Sequence, residues 1–125
     1  MTTEASKAWM SRYFEAMDSS KSEETVRRFV DDEDLVQHIL MFESAFPGYE
    51  ILSDDMIAEG SKVAVRGRFR GIHRGGFMGV EPTGSAVEFP LHLMYRLENN
   101  KIAEFSMTAD TLALMQQIGA VPVPA

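Results

Sequence analysis

"VEFPLHLMYRLENNKIAEFSMTAD", residues 87–110, decides how this chain folds. Val87, Phe89, Leu91, Leu93, Tyr95 and Leu97 alternate with Glu88, His92, Met94 and Arg96. A period of two is what a strand with one buried face and one wet face requires, because successive side chains leave a strand on opposite sides. Asn99-Asn100 interrupts the alternation with residues that tolerate the left-handed backbone of a tight turn. KIAEFSMTAD therefore predicts a second strand, running back antiparallel to the first.

The same period extends upstream. YEILSDDMIAE and KVAVRGRF are separated by Gly60-Ser61 and read as a hairpin, with Val63, Val65 and Phe69 on one side of the second strand. Arg66, Arg68 and Arg70 then fall on the opposite side, the pattern of a solvated strand face. Between the two hairpins lies GIHRGGFMGVEPTG, residues 71–84, with five glycines and a proline. Its glycines permit positive φ or close backbone approach, and Pro82-Thr83-Gly84 reads as a turn, so a bent, bulged connection is expected rather than a free flap. Such a connection brings His73 and Phe77 to the mouth of a pocket, or leaves His73 satisfying a hydrogen bond within the loop.

Before Tyr49 the apolar period lengthens to that of helices. Trp9, Tyr13 and Ala16, with Met10, Phe14 and Met17 beside them, predict a helix over residues 5–17 that the DSSKS run ends. Ser20 and Glu23 have capping-box spacing, which starts a second helix over 22–30 with Val26, Phe29 and Val30 inward. The carboxylates of Asp31, Asp32, Glu33 and Asp34 favour the positive end of a third helix, 33–45, whose stripe is Leu35, His38, Ile39, Phe42 and Phe46 before Pro47-Gly48 stops it. TLALMQQIG predicts a closing helix with Gly119 as its C-cap, and residues 119–125 a tail ending in VPVPA. Helices followed by an antiparallel meander make an α+β domain spanning residues 1–125.

Composition excludes several functions. A chain of 125 residues that is 45% hydrophobic fills one core. No apolar run approaches the ~20 residues of a membrane span, and MTTEASKAW lacks the regions of a signal peptide, so a soluble, cytoplasmic protein is expected without a membrane partner. The absence of cysteine removes disulfides and thiolate metal sites, and three scattered histidines have no metal-binding spacing. A net charge of −7 opposes binding to nucleic acid.

"LVQHILMFESAFPGYEIL", "VAVRGRFRGIHRGGFMGVEPTG", "YRLENNKIAEF" and "ADTLALMQQIGA" together resemble the SnoaL-like polyketide cyclases, or ester cyclases, of the nuclear transport factor 2-like superfamily. The likeness runs in order over residues 5–122. It implies a cystatin-like cone: a strongly curved antiparallel sheet around a pocket that the N-terminal helices close, assembled as a homodimer, here through the arginine-bearing outer sheet face. It also implies lyase or isomerase chemistry without metal or organic cofactor, an intramolecular aldol condensation on a hydrophobic carbonyl compound. The family's acid/base aspartate matches Asp110, and its H-x-G histidine matches His73.

Proton abstraction beside a carbonyl needs a base of raised pKa in an apolar cavity and a donor where enolate charge develops. Asp110 suits the base and His73 the donor; Asp110 also stands where an N-cap of the last helix would stand. Many relatives carry His-Trp after the KI-x-E motif, where this chain has Phe105-Ser106. Alternation puts Ser106, Thr108 and Asp110 on one face, so the missing indole would reshape the cavity beside the base. His38, His92 and Arg96 are further lining candidates, and Met94 and Met107 would give an adaptable wall. A non-catalytic pocket protein for a small hydrophobic ligand is the alternative, because one fold hosts many functions.

Overall fold

The structure, a computed structural model, describes residues 1–123. Its elements run α1 (Thr3–Ser19), α2 (Glu23–Phe29), α3 (Glu33–Ala45), β1 (Glu50–Glu59), β2 (Lys62–Ile72), β3 (Ala86–Glu98), β4 (Lys101–Ala109) and α4 (Thr111–Gln117). The final two residues of the expected VPVPA tail lie outside the described residues. Each helix starts on an oxygen-bearing cap: the side chains of Thr2, Ser22, Asp32 and Asp110 accept backbone N–H groups of their own first turns. The cap of α2 is therefore Ser22, with Thr25 N–H as its donor, and not Ser20; the Ser20 hydroxyl instead accepts the Ser22 N–H at 3.3 Å. Gly119 follows α4 at φ +78°, the left-handed position that lets the chain leave the helix.

The four strands form one curled antiparallel sheet in the order β1-β2-β3-β4, an up-and-down meander. Asn99 and Asn100 both adopt positive φ, 53° and 60°, and so turn β3 directly into β4. The inner face of β3 is the six-residue apolar row from Val87 to Leu97, every member buried. β4 changes parity on the way. Leu97 pairs with Ile102 but Arg96 pairs with Glu104, so Ala103 is the extra residue of a bulge. Ile102 faces inward before it, and after it Phe105, Met107 and Ala109 do, opposite Tyr95, Leu93 and Leu91. Ser106 and Thr108 consequently pair with Met94 and His92 on the outer face.

The helices cover the concave side. The Ser6 hydroxyl of α1 donates to Gly60 O at 2.6 Å in the β1–β2 turn, and Lys101 Nζ of β4 donates to Arg27 O of α2 at 3.0 Å. At the far end Gln117 of α4 exchanges two hydrogen bonds with the Glu88 backbone, at 2.7 and 2.9 Å, and so occupies the edge of β3 beyond the point where β4 ends. Aromatic rings dominate the interior: Phe69 stacks on Tyr49 and on Phe89, each at 4.8 Å between centroids, while Phe42 and Phe46 pack against it edge-on. No helix among the described residues is long and apolar enough to cross a membrane.

Candidate functional site

The concave side does not close completely. Between α1, α3 and the inner face of β2, β3 and β4 it leaves a cavity of about 210 Å³, lined almost wholly by apolar and aromatic side chains. Tyr13, Phe14 and Met17 of α1 form one wall, and Leu35, Ile39 and Phe42 of α3 the next. Phe69, Phe89, Leu93, Tyr95, Phe105 and Met107 of the sheet make the floor, and Met41 and Met78 stand exposed at the opening. Its polar groups are few: Asp18, Lys21, His38, Thr111 and three tyrosines. Burial raises the pKa of the Tyr13, Tyr49 and Tyr95 hydroxyls, so they remain protonated donors.

His38 is the imidazole in the lining. Its place on α3 puts it one turn before Phe42, whose ring lies 4.6 Å away, with Phe105 of β4 at 6.0 Å. Burial among these rings lowers its pKa, which favours the neutral ring. Phe77 also lines the cavity, buried and held by a tight turn. Phe77 and Val80 exchange backbone hydrogen bonds at 3.0 and 2.8 Å, and Met78 and Gly79 between them take positive φ of 48° and 81°.

His73 lies elsewhere. It is fully buried within the connection between β2 and β3, with its backbone bonded to Ser85 O and Gly84 N. Nδ1 accepts the Thr83 N–H at 3.3 Å and lies 3.0 Å from the Thr83 hydroxyl, which puts the proton of the neutral ring on Nε2. That Nε2 has no hydrogen-bond partner among the described residues; the Phe46 ring is 5.4 Å away, and neither residue lines the cavity. The connection as a whole is bent and anchored, as its glycines imply, with Arg74 and Gly75 N–H both donating to Ala45 O at 3.0 Å.

Asp110 is exposed, and its carboxylate accepts the Ala113 N–H at 3.0 Å as the N-cap of α4. Its neighbours Ala109 and Thr111 line the cavity; Asp110 itself does not. The expected placement of His92, Met94 and Ser106 in the cavity is corrected: the register of β3 and β4 turns all three outward, into a more open hollow with Ile57, Arg66 and Thr108. Arg96 is likewise outward, clamped between Glu98 at 2.8 Å and Glu104 at 2.9 Å. Of the residues singled out from sequence, His38, Phe77 and Met107 therefore share the cavity. Lys21, Asp18 and Phe105 belong to it and were not anticipated. A lysine inside a serine-rich helix break carries no mark of burial, and Phe105 is hidden by the bulge at Ala103.

Comparison with known proteins accounts for this architecture. The family model for SnoaL-like polyketide cyclases matches residues 5–118. No curated protein sequence matches the chain. Among solved structures, AclR from Streptomyces galilaeus superimposes with a TM-score of 0.85 at 23% identity, covering 99% of this chain and 87% of that one. TsrD from Streptomyces laurentii gives 0.81 at 20% identity, with 97% and 100% covered. A SnoaL-like polyketide cyclase from Agrobacterium tumefaciens gives 0.75 at 19% identity, with 95% and 100% covered. These likenesses show a shared fold, helices over a curled antiparallel sheet, and the family match over nearly the whole length shows that the chain belongs to the SnoaL-like polyketide cyclase family.

Proposed function

We propose that this chain binds a small, largely apolar carbonyl compound in the cavity and removes a proton beside the carbonyl, with aldol-type cyclisation as the reaction class suggested by its family. One observation carries the reading: an apolar, ring-lined cavity that contains an imidazole, His38, which burial favours in its neutral, proton-accepting form. Pockets for drug-sized ligands run to about 300–1,000 Å³, so a compound of one or two rings suits this smaller space. His38 is the base in this proposal. Asp110 enters as a second acid/base group through its flanking residues Ala109 and Thr111, and requires that the carboxylate act while capping α4.

Deuterium exchange beside the carbonyl of a bound aromatic ketone, followed by NMR, tests the reading. Wild-type protein accelerates exchange; His38→Gln loses at least about 100-fold, the usual share of a general base. A matching loss in Asp110→Asn assigns the aspartate a chemical role, and unchanged exchange leaves it a cap. No exchange by wild-type protein that binds the ketone supports the second reading, a non-catalytic pocket, which the engagement of Asp110 as a cap and the enclosure of His73 favour.

The outer sheet face is proposed as the surface of a homodimer. Ile57 and Met94 are 65% and 53% exposed there, while Arg68 and Arg70 are paired with Asp54 and Glu50 of the same face. Light scattering that returns the monomer mass at micromolar concentration overturns this assignment.

A further inference from the structure

Lys21 occupies the short segment between α1 and α2 and is 8% exposed, yet it belongs to the lining of the cavity. A buried ammonium ordinarily satisfies its donors, because an unpaired buried charge is among the least favourable arrangements in a protein. Lys21 does not. Among the described residues its nearest acidic oxygen is Glu43 Oε2 at 3.9 Å, an ion-pair separation too long for a hydrogen bond, and the Tyr49 ring centroid lies 4.5 Å away. Glu43 is held back by its own partner: both carboxylate oxygens accept the Gly48 N–H, at 2.8 and 3.2 Å. The ammonium thus stands at the wall of an apolar cavity with donor capacity to spare.

We propose that Lys21 is the hydrogen-bond donor that fixes an uncharged carbonyl oxygen of the ligand, so that the site prefers ketones over hydrocarbons and over carboxylates of the same shape. The proposal rests on the cavity being a ligand site and specifies which ligands it takes. The preference for a neutral acceptor follows from the charges around Lys21. Asp18, Glu43 and Glu50 all act on it electrostatically, three carboxylates for one cation, and burial lowers its pKa while those three raise it. Asp18 shows the same crowding, with its pKa raised by burial and by Glu50 and Glu15 against the pull of Lys21. A ligand carboxylate would add a further anion to this cluster; a ketone oxygen accepts the hydrogen bond and adds none.

Three probes built on one naphthalene ring test this: naphthalene, 2-acetylnaphthalene and the similarly shaped 2-naphthoate, titrated into wild-type protein and into Lys21→Met by calorimetry or intrinsic fluorescence. In wild type the ketone binds about tenfold more tightly than the hydrocarbon, as a hydrogen bond from a charged donor provides, and more tightly than the carboxylate. Lys21→Met keeps naphthalene affinity and loses the advantage of the ketone. Equal affinity of ketone and hydrocarbon in wild type, a ketone advantage that survives Lys21→Met, or naphthoate binding as tightly as the ketone overturns the proposal. If none of the three binds wild type, the cavity reading falls and takes this one with it. Should Lys21→Met lose naphthalene as well, the isotope-edited carbonyl stretch of the ketone bound to wild type decides: a shift to lower frequency relative to apolar solvent supports donation to that oxygen, and an unshifted band overturns it.

Discussion

Tyr95 and Phe105 face each other across β3 and β4 with ring centroids 5.5 Å apart, and this pairing sets which side of β4 closes the cavity. Phe105→Ala should therefore cost about 2 kcal/mol, below the full price of a core phenylalanine because the ring is half-buried. Ser106→Ala, one residue along and outward, should stay within about 0.5 kcal/mol. Urea denaturation of both variants checks the contrast, and equal effects would mean that β4 is in the other register.

That parity explains where sequence reading succeeded and where it failed. The rows from Val87 to Leu97 and from Val63 to Phe69 were legible because uninterrupted alternation permits one assignment of faces. The Asn99-Asn100 turn and the order of helices before strands were legible for similarly local reasons. β4 was not. Counting alternately from Ile102 sends Ser106 and Thr108 inward, and only the extra residue at Ala103 reverses this, a displacement that no residue type announces. Lys21 escaped notice for a different reason: its burial follows from how α1, α3 and the Tyr49 segment converge, a tertiary fact absent from its neighbours in sequence.

Gly75 sits where the β2–β3 connection crosses the end of α3, and a Cβ there would collide with the Ser44 carbonyl. Its own N–H and that of Arg74 already hold the backbone against Ala45 O, so the loop cannot retreat without losing both bonds. Gly75→Ala should destabilise by at least about 2 kcal/mol and displace Phe77 from the cavity wall. Gly76→Ala is the control, since the nearest atom to its Cβ is Val80 O at 3.9 Å. Thermal denaturation of the pair should separate them by several degrees.

The Asp110 cap makes a quantitative forecast independent of catalysis. Asp110→Ala removes the acceptor for the Ala113 N–H and should cost about 1 kcal/mol, whereas Asp110→Asn keeps an oxygen in place and should cost a few tenths. Because α4 carries the buried Leu114 and the Gln117 clasp on Glu88, hydrogen exchange should quicken along α4 and at Glu88 in the alanine variant. Uniform exchange changes across the sheet would instead point to a wider role for the carboxylate.

His38 gives stability a pH dependence of known sign. Burial lowers its folded pKa below the usual 6.5, so in the unfolded chain it takes up a proton at a pH where the folded chain does not. The unfolded state then binds more protons, and stability falls as pH drops through 6.5 until the folded pKa is reached; above 6.5 His38 contributes no slope. The slope from one such group cannot exceed about 1.4 kcal/mol per pH unit. Urea unfolding of wild type between pH 7.5 and about 5 should show this decline, and His38→Gln, which cannot protonate, should flatten it. A decline unchanged in His38→Gln would mean that the imidazole is solvated in the folded protein, and would remove the neutral base on which the proposed proton abstraction depends.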